Sequence, residues 1–260
     1  MTSPSGAGDP APPRVDVDDH ALAAWLATVA GRRLLEVRQS GLTGKELKDA
    51  GDLTSHELLM RLLARHRPAD AVLSEEGKDD PVRLAADRVW IVDPLDGTRE
   101  FSEPPRDDWA VHVALWSEGE LVAGAVALPG LDATFHTGVP PVLPASSAPR
   151  PRIAVSRTRP PDFVAALAER LGADLVPMGS AGAKVISVVR DVSDAYVHAG
   201  GQYEWDSAAP VAVARAAGLH TSRVDGSPLT YNHADPLLPD LIVCRPELAG
   251  AILDFLDTTG

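Results

Sequence analysis

The chain has 260 residues, 45% of them hydrophobic, with one cysteine and a net charge of −13. That acidity argues against a nucleic-acid polymer or an anionic membrane as partner, while a small phosphorylated molecule held through a bound cation stays open. One cysteine excludes an intrachain disulfide, no apolar run reaches membrane-spanning length and the first residues lack a signal-peptide core, so a cytoplasmic location is expected.

Residues 1–14, rich in Pro, Gly, Ser and Ala, read as a disordered tail. Leu22, Trp25, Leu26, Val29, Leu34 and Val37 recur at helical spacing, with Asp18 or Asp19 as N-cap and Gly41 as stop. Thr54-Ser55-His56-Glu57 has the form of a capping box opening a second helix, which Pro68 ends. Ala71–Leu73 predicts a short strand running into Ser74-Glu75-Glu76, and Val89–Val92 a buried strand. Trp109–Trp116 and Leu121–Leu128 predict a hairpin turning at 117–120. Residues 15–138 therefore read as an α+β domain with an antiparallel sheet.

The composition turns to proline and serine over 139–152, which is expected to be a linker. Beyond it, strands at Ile153–Val155, Leu175–Pro177, Ala195–His198 and Leu241–Cys244 alternate with helices at Pro161–Leu171, Ala183–Arg190, Ser207–Ala217 and Glu247–Leu256. That alternation predicts an α/β domain over 153–260. Cys244, inside an apolar run, reads as a small buried hydrophobe.

The most informative segment is Asp93-Pro94-Leu95-Asp96-Gly97-Thr98, where the apolar run Val89–Val92 ends in two carboxylates. Anions held that close repel unless a cation lies between them, and oxygen ligands suit a hard divalent ion, Mg²⁺ above all. Gly97 allows a tight turn that would aim the N–H groups of Gly97 and Thr98 at an anion such as a phosphate. Metal together with phosphate points to phosphoryl chemistry. His56, His112 and His198 read as structural or surface residues, because no metal-ligand spacing joins them. No G-x-S-x-G supports a serine nucleophile.

Ser74-Glu75-Glu76, Asp93-Pro94-Leu95-Asp96-Gly97-Thr98 and Trp205-Asp206-Ser207-Ala208-Ala209, in that order, resemble the three-part signature of the Mg²⁺-dependent, lithium-sensitive phosphatase superfamily that includes inositol monophosphatase. Asp96-Gly97-Thr98-Arg99-Glu100-Phe101 and Gly179-Ser180-Ala181-Gly182-Ala183-Lys184 are similar to segments of its CysQ type, the 3′-phosphoadenosine 5′-phosphate phosphatases. The resemblance implies an α-β-α-β-α layered sandwich joining α+β and α/β halves. It implies removal of the 3′-phosphate of 3′-phosphoadenosine 5′-phosphate, or of its sulfated parent, in sulfur metabolism. The same chemistry on inositol monophosphate or fructose bisphosphate is the alternative reading, and a non-catalytic regulatory subunit binding metal or phosphate is a second.

By the same resemblance, Glu75, Asp93 and the Leu95 carbonyl hold one Mg²⁺, Asp93, Asp96 and Asp206 a second, and Glu75 with waters a weaker third. Glu75 and the Thr98 hydroxyl orient the attacking water, and Asp52 orients Thr98, although Asp49-Ala50-Gly51 replaces the usual small-hydroxyl motif before it. Gly97, Thr98, Gly179, Ser180, Lys184 and Arg157 contact substrate. Ser156-Arg157-Thr158-Arg159 lacks the histidine of the related S-R-S-H segment. A homodimer is implied as well.

Overall fold

A computed structural model describes residues 18–146 and 148–259. The tail expected over 1–14 lies outside the described residues. The elements in chain order are α1 (Asp19–Arg38), α2 (Gly44–His66), β1 (Ala71–Ser74), β2 (Arg88–Asp96), α3 (Thr98–Phe101), β3 (Ala110–Ser117), β4 (Glu120–Leu128) and β5 (Ala133–His136). There follow β6 (Arg152–Ser156), α4 (Val164–Leu171), β7 (Asp174–Met178), α5 (Ala181–Val189), β8 (Ala195–Tyr203), α6 (Glu204–Ala216), β9 (His220–Ser222), β10 (Leu237–Cys244) and α7 (Pro246–Thr259). The first sheet has the order β1-β2-β3-β4-β5 and the second β7-β6-β8-β10-β9, so the chain changes sheets across 137–151.

Strand alternation sorts the side chains into layers. In β2, Trp90 and Val92 face α1 and α2, where they meet Leu26, Leu34 and Leu59, while Val89 and Ile91 face the other way. There they share a core with Val185 and Ile186 of α5 and Val211 and Val213 of α6. Tyr196, Leu241 and Val243 of the second sheet close that core from its far side. Their neighbours Val197, Ile242 and Cys244 point outward to Leu167 of α4 and Ile252 of α7. The result is the α-β-α-β-α sandwich, with α5 and α6 apolar against both sheets.

Several elements differ from expectation, each for a physical reason. α2 is one helix from Gly44, so Thr54-Ser55-His56-Glu57 lies in its middle and caps nothing. Ser55 is buried and its hydroxyl donates to the Pro94 carbonyl at 2.7 Å, which gives a mid-helix serine a tertiary partner. Gly51 stays in the helix because α2 packs tightly there: a Cβ would lie 2.6 Å from Phe101 Cε1 and 2.9 Å from Leu95 Cδ2. The helix expected from Pro161 begins at Val164, and that expected from Ser207 begins at Glu204, which draws Asp206 into its first turn. β5 and β9 are short edge strands without apolar alternation, and the pattern missed both.

Candidate active site

The site begins with strand pairing. β1 runs parallel to β2 with Ser74 opposite Val92, and the Glu75 N–H donates to the Val92 carbonyl at 3.2 Å. Glu75 and Asp93 therefore leave neighbouring strand ends side by side. Past Asp93 the pairing with β3 slips before resuming at Asp96. Inside that irregularity the Leu95 N–H donates to Asp93 Oδ1 at 3.0 Å, and Ser55 of α2 pins the Pro94 carbonyl. Gly97 then turns the chain at φ 84°, a left-handed value that favours glycine. Thr98 opens α3, its hydroxyl 3.4 Å from Asp52 Oδ1 and 3.2 Å from the Leu95 carbonyl.

Asp96 is held from the other half of the chain. It lies at the start of α5, where the Ser180 hydroxyl donates to Oδ2 at 2.5 Å, the Gly182 N–H to Oδ2 at 2.6 Å and the Ala181 N–H to Oδ1 at 3.1 Å. His112 stands opposite Asp93 in the β2–β3 register and is fully buried. Its Nδ1 lies 3.1 Å from the Trp205 carbonyl and its Nε2 3.2 Å from Asp96 Oδ2, an ion-pair distance whose alignment falls short of a hydrogen bond. Burial opposes a charge on His112, but with an oxygen facing each ring nitrogen the balance raises its pKa. Burial likewise works against the Asp96 carboxylate, and His112, Ser180 and Gly182 outweigh it, holding that group down to about 2.

The remaining carboxylates lack such support. Burial pushes Glu75 up to about 7, reinforced by the charges of Asp206, Asp96 and Glu76 although Asp93 hydrogen-bonds to it. Burial and the neighbouring charges of Glu75, Asp96 and Asp206 drive Asp93 well above the carboxylate range. Asp206, in the first turn of α6, accepts the Tyr203 N–H at 2.7 Å, yet burial and the Asp96 charge raise it to about 6. Asp52 is pushed up to about 7 by burial and then by Glu76. A nest of buried acids that raise one another's pKa is a donor set suited to a hard cation, and an all-oxygen set fits Mg²⁺. Asp93, Asp96 and His112 also bring ligand atoms within 4.8 Å of one another.

A cavity of about 950 Å³ opens over this cluster, lined in part by Asp96, Gly97, Thr98, Asp206, Lys184 and Arg157. Four of the residues expected at substrate already have partners in the protein. Gly179 gives its N–H to Asp108 Oδ2 at 2.6 Å, and Ser180 its hydroxyl to Asp96. Arg157 pairs with Asp108 at 2.7 Å. Lys184 is only 5% exposed and donates to the Ser180 and Gly179 carbonyls at 2.6 and 3.2 Å, above the Tyr196 ring. Burial lowers its pKa, against the pull of Asp96 and Glu100. The sequence reading missed the place of His112 in the site and the part played by Asp108. The hairpin expected from the sequence pairs His112 with Val126, and only the pairing of β3 with β2 sets it across from Asp93, just as Asp108 is joined to Gly179 only through the fold.

The sequence model of the inositol monophosphatase family matches residues 17–254. The chain belongs to the inositol monophosphatase family. Within this family, a Mycobacterium leprae protein named 3′-phosphoadenosine 5′-phosphate phosphatase is 50% identical over 262 aligned positions, spanning 92% of this chain and 94% of the relative. A protein of the same name from Mycobacterium bovis is 52% identical over 239 positions, 86% of this chain and 90% of its own length. Among solved structures, CysQ from Bacteroides thetaiotaomicron, described as a bacterial member of the inositol monophosphatase family, superposes with a TM-score of 0.77 at 28% identity, covering 86% of this chain and 96% of that one.

Proposed function

We propose that this protein is a Mg²⁺-dependent phosphomonoesterase that removes the 3′-phosphate of 3′-phosphoadenosine 5′-phosphate, giving AMP and phosphate. The observation that carries the chemistry is the clustering of Glu75, Asp93, Asp96 and Asp206, three of them with raised pKa, with Asp96 and Asp206 in the lining of one cavity. The substrate assignment is supported by the relatives that carry that activity in their names over nearly their full lengths.

In this reading Glu75, Asp93 and the Leu95 carbonyl hold one Mg²⁺, and Asp93, Asp96 and Asp206 a second, with a weaker third beside Glu75. Bound Mg²⁺ supplies charge neutralisation, polarisation of the phosphoryl group and a lower pKa for water. The chain's own groups do the rest. The N–H groups of Gly97 and Thr98 hold a phosphate oxygen. Glu75 and the Thr98 hydroxyl orient the attacking water for an in-line approach to phosphorus. Asp52 fixes the threonine rotamer through the contact between them. Lys184 offsets the charge of the phosphate that is not cleaved. Ser180 positions Asp96, Gly179 is anchored on Asp108 beside it, both line the cavity, and Arg157 forms part of its wall. A cytoplasmic homodimer belongs to the same reading. Among the described residues no helix is long and apolar enough to cross a membrane.

The test is a comparison of kcat/KM for 3′-phosphoadenosine 5′-phosphate, inositol 1-phosphate and fructose 1,6-bisphosphate under one Mg²⁺ concentration. Preference for the nucleotide by about tenfold or more, a difference of about 1.4 kcal/mol, supports the reading. Equal or reversed preference overturns the substrate and leaves the metal chemistry standing.

A further inference from the structure

A second cavity, of about 340 Å³, shares Arg157 and Met178 with the main one. Leu128, Leu131, Met178 and Ala183 give it an apolar lining. Ala183, Ser187 and Arg190 also line it, and their spacing of four and three positions makes them one stripe along α5. Arg190 stands exposed at the end of that stripe, and among the described residues no carboxylate pairs with its guanidinium. The other arginines of the lining differ: Arg106 is bound to Glu100, Glu103 and Asp108, and Arg157 to Asp108. Asp107 is exposed and acts on Arg38. Among the described residues the Asp107 carboxylate makes no ion pair either, so the lining carries three arginines against two aspartates, a net positive charge, with Arg190 its unpaired cation.

The wall between the cavities leads to the reactive carboxylates. Asp108 Oδ2 accepts both from Arg157 and from the Gly179 N–H. Gly179 precedes Ser180, whose hydroxyl holds Asp96. A body pressed against Arg157 and Met178 therefore bears on the segment that supplies the donors of Asp96.

We propose that this second cavity binds a small organic anion with a flat apolar body, its charge on Arg190, and that occupancy alters turnover through the Asp108–Gly179 anchor. The binding half is independent of the proposed function, while the effect on turnover rests on it. The probes are 2-naphthoate and its uncharged counterpart 2-naphthamide, titrated by calorimetry into the full chain with Mg²⁺ present. The wild type is expected to bind 2-naphthoate about tenfold more tightly than the amide, the size of one charge-assisted contact. Arg190→Gln should remove that preference, and Val192→Trp, which narrows the cavity, should weaken both probes about tenfold or more. Saturating 2-naphthoate should change kcat for 3′-phosphoadenosine 5′-phosphate at least about twofold at saturating substrate. No saturable binding, equal binding of the two probes, or binding unchanged in both variants overturns the site. Purely competitive inhibition overturns it too, by assigning the probe to the main cavity. Absence of nucleotide hydrolysis under all conditions would overturn the proposed function, and the calorimetry would still decide the cavity.

Discussion

The Ser180 hydroxyl donates to Asp96 Oδ2 at 2.5 Å across 84 positions of sequence. That contact ties the end of β2 in the first sheet to the first turn of α5, which packs against both. Together with the N–H groups of Ala181 and Gly182 it keeps Asp96 ionised while the acids around it drift toward protonation. Asp96 is thus held by three donors of the protein, whereas Asp93 and Asp206 each accept one backbone N–H, from Leu95 and Tyr203.

Gly182→Ala tests that arrangement. A Cβ at 182 would collide with His112 Nε2, which faces Asp96. Nothing nearby is a flexible chain end, so the clash moves either the imidazole or the helix start. The expected outcome is a folded protein destabilised by about 1–3 kcal/mol, as for other overpacked cores, with kcat down by about tenfold or more. Thermal melts and steady-state kinetics on the purified variant check it. Unchanged kcat would mean that the His112–Asp96 geometry does not matter to turnover.

Asp93→Asn is expected to separate stability from activity. Asp93 is 1% exposed and is raised by burial and by three neighbouring acids. Removing its charge relieves repulsion, so the metal-free variant should melt at a higher temperature than the metal-free wild type. In the proposed site the same change removes a ligand shared by two ions, so Mg²⁺ should no longer raise the melting temperature and turnover should fall by at least about 10³. A lower melting temperature without metal would contradict the repulsion argument.

The pH dependence of stability follows from the same groups. Glu75 titrates near 7 in the fold against 4.5 when free, Asp206 near 6 against 3.8 and Asp52 near 7 against 3.8. Folded values above unfolded ones mean that the unfolded chain releases its protons first. Between about pH 4 and 7 the folded state holds more protons, so stability falls as pH rises through that window. Melting curves in chelator should therefore shift downward from about pH 5 to about pH 7, and saturating Mg²⁺, which favours the ionised acids, should flatten or reverse the trend. A melting temperature in chelator that climbs over this range would reject the assigned shifts.

One part of the candidate site was legible because its chemistry is local in sequence, while Glu75, Asp206 and Asp52 entered only through the family resemblance. A buried strand that stops at Asp93-Pro94-Leu95-Asp96 signals a cation by electrostatics alone, and Gly97 signals the turn. What escaped depends on contacts between distant segments. Ser55 resembles a cap until the Pro94 carbonyl, 39 positions away, takes its hydroxyl. Lys184 is expected at substrate, and only the burial of α5 between two sheets shows its ammonium on the Ser180 and Gly179 carbonyls. His112 joins the site through Asp96 on one side and the Trp205 carbonyl, 93 positions away, on the other. The five layers followed from the family resemblance, whereas the edge strands β5 and β9 offered no pattern to detect.

Lys184→Ala should have two effects. Losing the bonds to the Gly179 and Ser180 carbonyls loosens the segment that holds Asp96, so kcat/KM should fall for any phosphomonoester. Losing the cation should add a further drop of about tenfold for a bisphosphate nucleotide, as a charge-assisted contact contributes about 1.5–3 kcal/mol. Parallel kinetics on 3′-phosphoadenosine 5′-phosphate and on 3′-AMP separate the two effects. An equal loss on both would confine Lys184 to positioning.

The most direct measurement is phosphate release from 3′-phosphoadenosine 5′-phosphate by the wild-type protein stripped with chelator and then titrated with Mg²⁺. The proposed Mg²⁺-dependent reaction requires negligible release without the ion, a saturable rise on adding it, and AMP as the nucleotide product. Release that is already maximal in chelator, or none at saturating Mg²⁺, would contradict it.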